Sequence, residues 1–199
     1  MNKGIKPLKF SGKWDFDPAP ESVDHISLKD QYGLFINGKF ENPQTSNYFP
    51  SINPANEEHL SMIAEAGEKD INAAVSAARE AFDGPWSKMS AKERGKYIFR
   101  IARLIQEKSR ELAVIETLDG GKPIRESRDV DVPIAAAHFF YYAGWTDKLN
   151  YAFPNRDPKP VGVAGQVIPR NFPLIMEAFK IAQALATGNT DVQKQAKTT

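Results

Sequence analysis

Residues 160–194 read PVGVAGQVIPRNFPLIMEAFKIAQALATGNTDVQK, and the order of patterns in this stretch decides the fold. Val161 to Ile168 is a short, Val-rich apolar run, the pattern of a buried strand. Pro169-Arg170-Asn171-Phe172-Pro173 forms a tight turn. Leu174 to Ala186 is apolar almost all round, with Glu177, Lys180 and Gln183 marking one narrow polar line, which predicts a largely buried helix. Gly188-Asn189 stops it, and Thr190 to Lys194 reads as a second strand. Strand, helix, strand is the opening of a βαβ unit, so the chain falls in the α/β class.

Working outward, residues 150–160 hold Pro154, Pro158 and Pro160 and form the expected linker, with 161–199 after it. Residues 32–149 are expected to carry a hairpin and helices. Leu34-Phe-Ile36, then Asn37-Gly38, then Lys39-Phe40 is a hairpin signal, because Asn-Gly tolerates φ > 0 at both turn positions. Tyr48 to Ile52 reads as a further strand. Ile71, Val75, Ala78 and Phe82 share one helical face, and Gly84-Pro85 ends that helix. A second helix starts at Ser90, where Glu93 completes a capping-box spacing. Its apolar positions run from Ile98 to Leu118, and Gly120-Gly121 stops it. A third begins near Pro123 and restarts at Pro133 with Asp131 as its cap. It carries the aromatic patch Phe139, Phe140, Tyr141, Tyr142 and Trp145, which reads as core or interface. Residues 1–31 mix charges and prolines and are expected to be a flexible N-terminal arm.

Composition excludes several functions. The chain of 199 residues has no cysteine, which removes disulfides, thiolate metal sites and a thiol nucleophile of its own. Its 26 basic and 25 acidic residues leave a net charge of +1, against a nucleic-acid footprint. No stretch approaches the run of roughly 20 apolar residues that a membrane span needs. The N-terminus has no apolar signal run, so a cytoplasmic location is expected. His25, His59 and His138 lack metal-ligand spacing. Glu116, Asp119, Glu126, Asp129 and Asp131 cluster at helix ends and read as caps and solvated faces.

Neither GxGxxG nor GxxxxGK[ST] occurs, so spacing alone points to no nucleotide site. The turn at 168–173 is the one place where a strand end, an amide side chain and a helix start converge. Asn171 is open to two readings there. It caps the helix, the commoner use of such a residue, or its amide donates to a developing oxyanion beside the helix dipole.

Several motifs together resemble the aldehyde dehydrogenase superfamily. Pro160-Val-Gly-Val-Ala-Gly-Gln-Val-Ile-Pro169, Asn171-Phe-Pro-Leu174, Lys180-Ile-Ala and Ala184-Leu-Ala-Thr-Gly-Asn-Thr190 carry the likeness. Phe35-Ile-Asn-Gly-Lys-Phe40, Ile52-Asn-Pro-Ala55, Glu116-Thr-Leu-Asp-Gly-Gly-Lys-Pro123 and Tyr141-Tyr-Ala-Gly-Trp145 agree with the family's N-terminal pattern, in order. The resemblance implies a hairpin and helices that help form homo- or hetero-oligomers. An incomplete Rossmann-like, parallel-sheet cofactor domain follows them. It implies oxidation of a small-molecule aldehyde to an acid with NAD or NADP, through a cysteine thiolate and a water-activating glutamate. Asn171 becomes the oxyanion donor. Ile168, Pro169, Arg170 and Asn171 line the cofactor, and Lys194 reaches the adenosine ribose. The cysteine, the glutamate and the phosphate-binding glycine turn are not among these residues. The chain alone is therefore expected to be inactive, whether as a truncated enzyme, one half of a split enzyme or a non-catalytic interaction module.

Some residues depart from the family pattern. Arg170 stands at a usual tryptophan, Asp191 and Gln193 at apolar strand positions, and Gln195 at a proline. Lys197 replaces a ribose-binding glutamate, and its charge favours a 2′-phosphate and hence NADP. An unpaired carboxylate in a buried strand costs several kcal/mol. The second strand is therefore expected to be either unburied or damaging to the cofactor half.

Overall fold

The structure is a computed structural model, and it describes residues 22–196. The arm at 1–21 and Lys197 lie outside the described residues. Three small sheets and a set of helices make up an α/β fold. Strands β1 (Gln31–Tyr32), β4 (Tyr48–Ile52) and β5 (His59–Ala64) form one sheet in the order β1-β5-β4, parallel between β1 and β5 and antiparallel between β4 and β5. Strands β2 (Leu34–Ile36) and β3 (Lys39–Glu41) are the expected hairpin, with Asn37 at φ 50° and Gly38 at φ 75°. The sequence reading missed β5. It also placed residue 31 in a loose arm, whereas Ser61 Oγ donates to Lys29 O and Met62 N–H to Asp30 O, docking residues 29–32 on β5.

Helix α1 (Glu68–Ala81) widens at Phe82 and breaks at Gly84, whose φ −105° and ψ −119° are not helical, just before Pro85, where the sequence places the helix end. Helix α2 (Ala91–Glu107) starts on the expected capping box: Ser90 Oγ accepts from Glu93 N–H, and Glu93 returns a carboxylate to Ser90 N–H. The single helix expected from Ser90 to Leu118 is two. Lys108 leaves helical dihedrals at φ −99°, ψ 15°, and α3 (Ser109–Gly120) sets off again. A one-residue break preserves apolar spacing, so periodicity could not show it. Gly121 ends α3 at φ 69°, and a Cβ there would collide with the Pro54 ring, so only glycine fits.

Beyond Gly121 come α4 (Ile124–Glu126), a π-helical turn over Ser127–Asp131 and α5 (Val132–Ala143). Asp131 is not the cap expected of it. Its backbone is helical at φ −65°, ψ −53°, it makes no side-chain cap hydrogen bond, and it is 1% exposed. Pro133 is tolerated because the π-turn has already widened the helix, so no restart is needed. A short α6 (Leu149–Ala152) occupies the start of the expected linker.

Strand β6 (Val163–Val167), helix α7 (Pro173–Ala186) and strand β7 (Thr190–Lys194) form the expected strand–helix–strand arch, with β6 and β7 parallel and Gly165 opposite Val192. Gly188, at φ 85°, turns the chain out of α7, and Asn189 Oδ1 accepts from Val161 and Gly162 N–H to register the two strands. β6 is not the buried strand its composition predicts. Within it Gly165 and Val167 are exposed, Val167 at 65%, and Val161 just before it is 96% exposed.

The core lies where α2, α5 and α7 cross. Ile98, Ala102, Ala135, Phe139, Ala178, Ala182 and Ala186 are all buried there. The aromatic patch divides, with Phe139 in the core, Phe140 and Tyr142 against it and Tyr141 exposed. Gly95 lets α2 approach α5, since a Cβ would come within 2.6 Å of Thr146 Oγ1 and 3.1 Å of Ala143 O.

Candidate functional site at the start of helix α7

The turn between β6 and α7 sits at the carboxyl end of a parallel strand pair, where α/β folds place ligands. Ile168 is the anchor. It is 3% exposed, and its N–H donates to Lys194 O at 2.9 Å. Pro169, Arg170 and Asn171 follow on the surface. The cap reading of Asn171 does not hold: the N-cap residue of α7 is Phe172, and no side chain caps the helix. Asn171 is exposed at the N-terminal end of α7, where Pro173 has no N–H to offer and the Leu174 amide faces Glu116. Lys194 ends β7 exposed, with no ion pair among the described residues.

Behind the turn is a cluster the sequence reading did not assemble. Glu116 and Asp131, read as caps or solvated faces, are buried around Lys122, with side-chain exposures of 5%, 1% and 15%. Lys122 Nζ pairs with Asp131 Oδ2 and lies 3.5 Å from Glu116 Oε1. It also lies 4.5 Å from the centre of the Phe172 ring. Burial pushes the Glu116 carboxyl up to about 7; Lys122 opposes this and Asp131 adds to it. The first-turn amide of Leu174 faces Glu116 and also opposes the shift, although neither Glu116 oxygen completes a hydrogen bond. Two carboxylates share one ammonium, so a proton on Glu116 leaves the cluster neutral. The sequence signal was Glu116 and Lys122 six residues apart across a glycine pair, but their inward direction depends on the break at Lys108 and the π-turn.

A second polar layer lies between α7 and the strands. Asp191, Gln193 and Gln195 alternate along one edge of the chain, and Gln195 Nε2 donates to Glu177 Oε1 at 2.6 Å. Lys180 Nζ donates to Val167 O, and Gln166 Nε2 to Lys180 O at 3.3 Å. The expected solvent line of α7 is thus half-buried. Burial raises the Glu177 carboxyl, the Gln195 hydrogen bond opposes this, and Asp191 raises it further; burial raises Asp191 as well. β7 is neither unburied nor dry, which answers the sequence dilemma with a polar interlayer.

Among the described residues no group of His, Cys, Asp or Glu could hold a metal ion, and no helix is long and apolar enough to cross a membrane. A shallow groove lined by Ile134, Ala137, His138, Tyr141 and Tyr142 shares no residue with the turn.

A parallel strand–helix–strand arch with an exposed amide at its helix start, set on a helical scaffold, defines an α/β fold class. The pattern described as "Aldehyde dehydrogenase family" matches residues 40–199. Aldehyde dehydrogenase family 2 member B4, mitochondrial, of Arabidopsis thaliana is 47% identical over 176 residues, covering 83% of this chain and 32% of that protein. Aldehyde dehydrogenase, mitochondrial, of Rattus norvegicus is 39% identical over 192 residues, covering 92% and 36%. The NAD+ complex of an aldehyde dehydrogenase from Bacillus cereus superposes with a TM-score of 0.77 at 41% identity, covering 84% of this chain and 38% of that one. The chain belongs to the aldehyde dehydrogenase family, and it spans about a third of the length of these curated relatives.

Its residues fit part of a nicotinamide dinucleotide. The positive end of α7 and Lys194, which has no ion pair among the described residues, suit anionic and hydroxyl groups. The glycine-rich cradle of a pyrophosphate is not among them.

Proposed function

We propose that this chain supplies the oxyanion-binding and first cofactor-binding elements of an NAD- or NADP-linked aldehyde oxidation site. The observation that carries this is the placing of Asn171: exposed, uncommitted to capping, and fixed behind the buried, strand-bonded Ile168. Asn171 Nδ2 would donate to the aldehyde oxygen as negative charge develops on it. The positive end of the α7 dipole would add a favourable field without reorganising. Pro169 would present an apolar edge, with Ile168 buried behind it as an anchor rather than lining the cofactor, and Arg170 and Lys194 would present cations. A nicotinamide cofactor held there would supply the hydride-accepting chemistry. The nucleophilic thiolate has to come from outside these 199 residues, which contain no cysteine.

The chain alone should not turn over aldehydes. Incubation with NAD or NADP and an aldehyde panel, followed by reduced-cofactor absorbance, tests this. Steady turnover from a sample confirmed cysteine-free by intact mass would overturn it. Calorimetry should show negligible NAD affinity, and a saturable micromolar titration would contradict that. When the chain is co-expressed with a cysteine-bearing family segment that restores turnover, Asn171→Ala should lower kcat by about 10²–10³-fold. Unchanged kcat would remove Asn171 from the mechanism.

A second reading is favoured by the exposure of Val161, Val167 and Tyr151, at 96%, 65% and 85%. On it, the chain is an interaction module that assembles with itself or with full-length relatives. Co-purification with such a relative supports it, and a monodisperse monomer in mixing experiments opposes it. A cytoplasmic location is part of our proposal, and fractionation that places the chain in mitochondria would reverse it.

A further inference from the structure

We propose that Lys122, gripped by Glu116 and Asp131 and lying against the Phe172 ring, is the positioning residue that fixes the Asn171 turn to the helical scaffold. The inference rests on the role given above to Asn171. It adds a residue that touches neither substrate nor cofactor.

The geometry runs in three steps. The loop carrying Lys122 is itself held, because Gly121 packs on Pro54 in a conformation no other residue fits. Ser51 Oγ also donates to Asp119 Oδ1 at 2.5 Å, tying the end of α3 to β4. The Lys122 ammonium is then confined by the Asp131 carboxylate, the Glu116 carboxyl and the Phe172 ring face. Finally, Phe172 follows Asn171 directly, and Leu174, whose amide faces Glu116, lies three residues beyond it. Thr117 Oγ1 donates to Ser127 Oγ at 2.9 Å, which holds the π-turn bearing Asp131 against α3. Asn171 makes no cap bond of its own, and this cluster is the bracing on the helical side of its turn. The other side is the Ile168 bond to β7.

The bracing is proton-linked. The groups facing Glu116 are Lys122 from the loop, Asp131 from the π-turn and the Leu174 amide from α7. Asp119, on the same helix, is engaged with Ser51. While Glu116 is protonated, Lys122 answers to Asp131 alone. Once ionised, Glu116 attracts both Lys122 and the positive end of α7. The position of Phe172, and of Asn171 beside it, should follow that change.

The test is an NMR titration of the isotopically labelled full chain without aldehyde or cofactor. The Asn171 side-chain NH2 signals are assigned by their loss in Asn171→Ala. They should shift with a midpoint of about 7. Glu116→Gln should abolish that shift. Lys122→Met should abolish it too and displace the Phe172 ring signals, while the Ile98 and Ala135 methyls stay in place. A flat wild-type profile, or a profile that survives Glu116→Gln, overturns the proposal. So does a folded Lys122→Met in which Asn171 is unmoved. If Lys122→Met does not fold, the wild type against Glu116→Gln decides alone. No turnover is read, so this outcome is independent of whether Asn171 serves an aldehyde.

Discussion

On the side of α7 that meets α2 and α5, Ala178, Ala182 and Ala186 recur every fourth residue and are at most 2% exposed. On the side that meets β6 and β7, Glu177 and Lys180 face Asp191, Gln193, Gln195 and the backbone of Val167. One helix thus joins a dry interface to a wet one. The dry side gains from area removed from water. The wet side gains less, because each hydrogen bond replaces one to water. Gln166 Oε1 and Gln193 Nε2 are buried there without partners. On these terms the helical scaffold carries most of the stability, and the strand–helix–strand arch is the softer region.

The largest test is Ile98→Ala. Ile98 is 0% exposed, and truncation should cost about 2–5 kcal/mol in chemical denaturation. A loss under half a kcal/mol would mean that the scaffold is not the stable part. Gly95→Ala should cost about 1–3 kcal/mol, because the new methyl enters the α2–α5 contact at Thr146. A neutral result would show that the helices have room to part.

Asp191→Val should instead stabilise, by about 1–2 kcal/mol, as a half-buried carboxylate without a counter-charge among the described residues is removed. The same residue gives the arch a pH dependence. The carboxyls of Glu177 and Asp191 are both raised in the folded chain, so the arch binds more protons than the unfolded chain. Its stability is full below the ordinary carboxylate range and falls as pH rises through the raised values. Hydrogen exchange of β7 amides should therefore show less protection at neutral than at mildly acid pH, after correction for intrinsic rates. Asp191→Val should flatten that difference, whereas α2 amides should show little of it. The smallest effect is expected from Arg103→Ala. Its 4.0 Å pair with Glu107 is more than half exposed, and the change in stability should stay under about 0.5 kcal/mol.

Much of the fold was legible in the sequence. Asn37-Gly38 gave the hairpin, Ser90 with Glu93 gave a helix start, and Val161 to Lys194 gave the arch, since each is a local signal with a local cause. β5 was missed because His59-Leu-Ser-Met-Ile-Ala64 has no turn signal of its own and becomes a strand by pairing with β4 and β1. Lys180 and Glu177 were read as a solvent line because period alone cannot say what lies across a helix face. The turn at 168–173 was found, but Lys122, Glu116 and Asp131 behind it were not. All three carry the charges that usually mark a surface.

By itself the sequence determined the family, the order of elements and the identity of Asn171 as the residue to watch. All three rest on residue types at short spacing, which the chain carries wherever it folds. Only the tertiary structure decided that Asn171 is free of capping, that the second strand meets α7 through a polar layer, and that one ammonium is shared by two buried carboxylates. Those depend on which distant side chains share a space from which water is excluded, and burial is what turns an ordinary Glu116 into a group that titrates near neutrality.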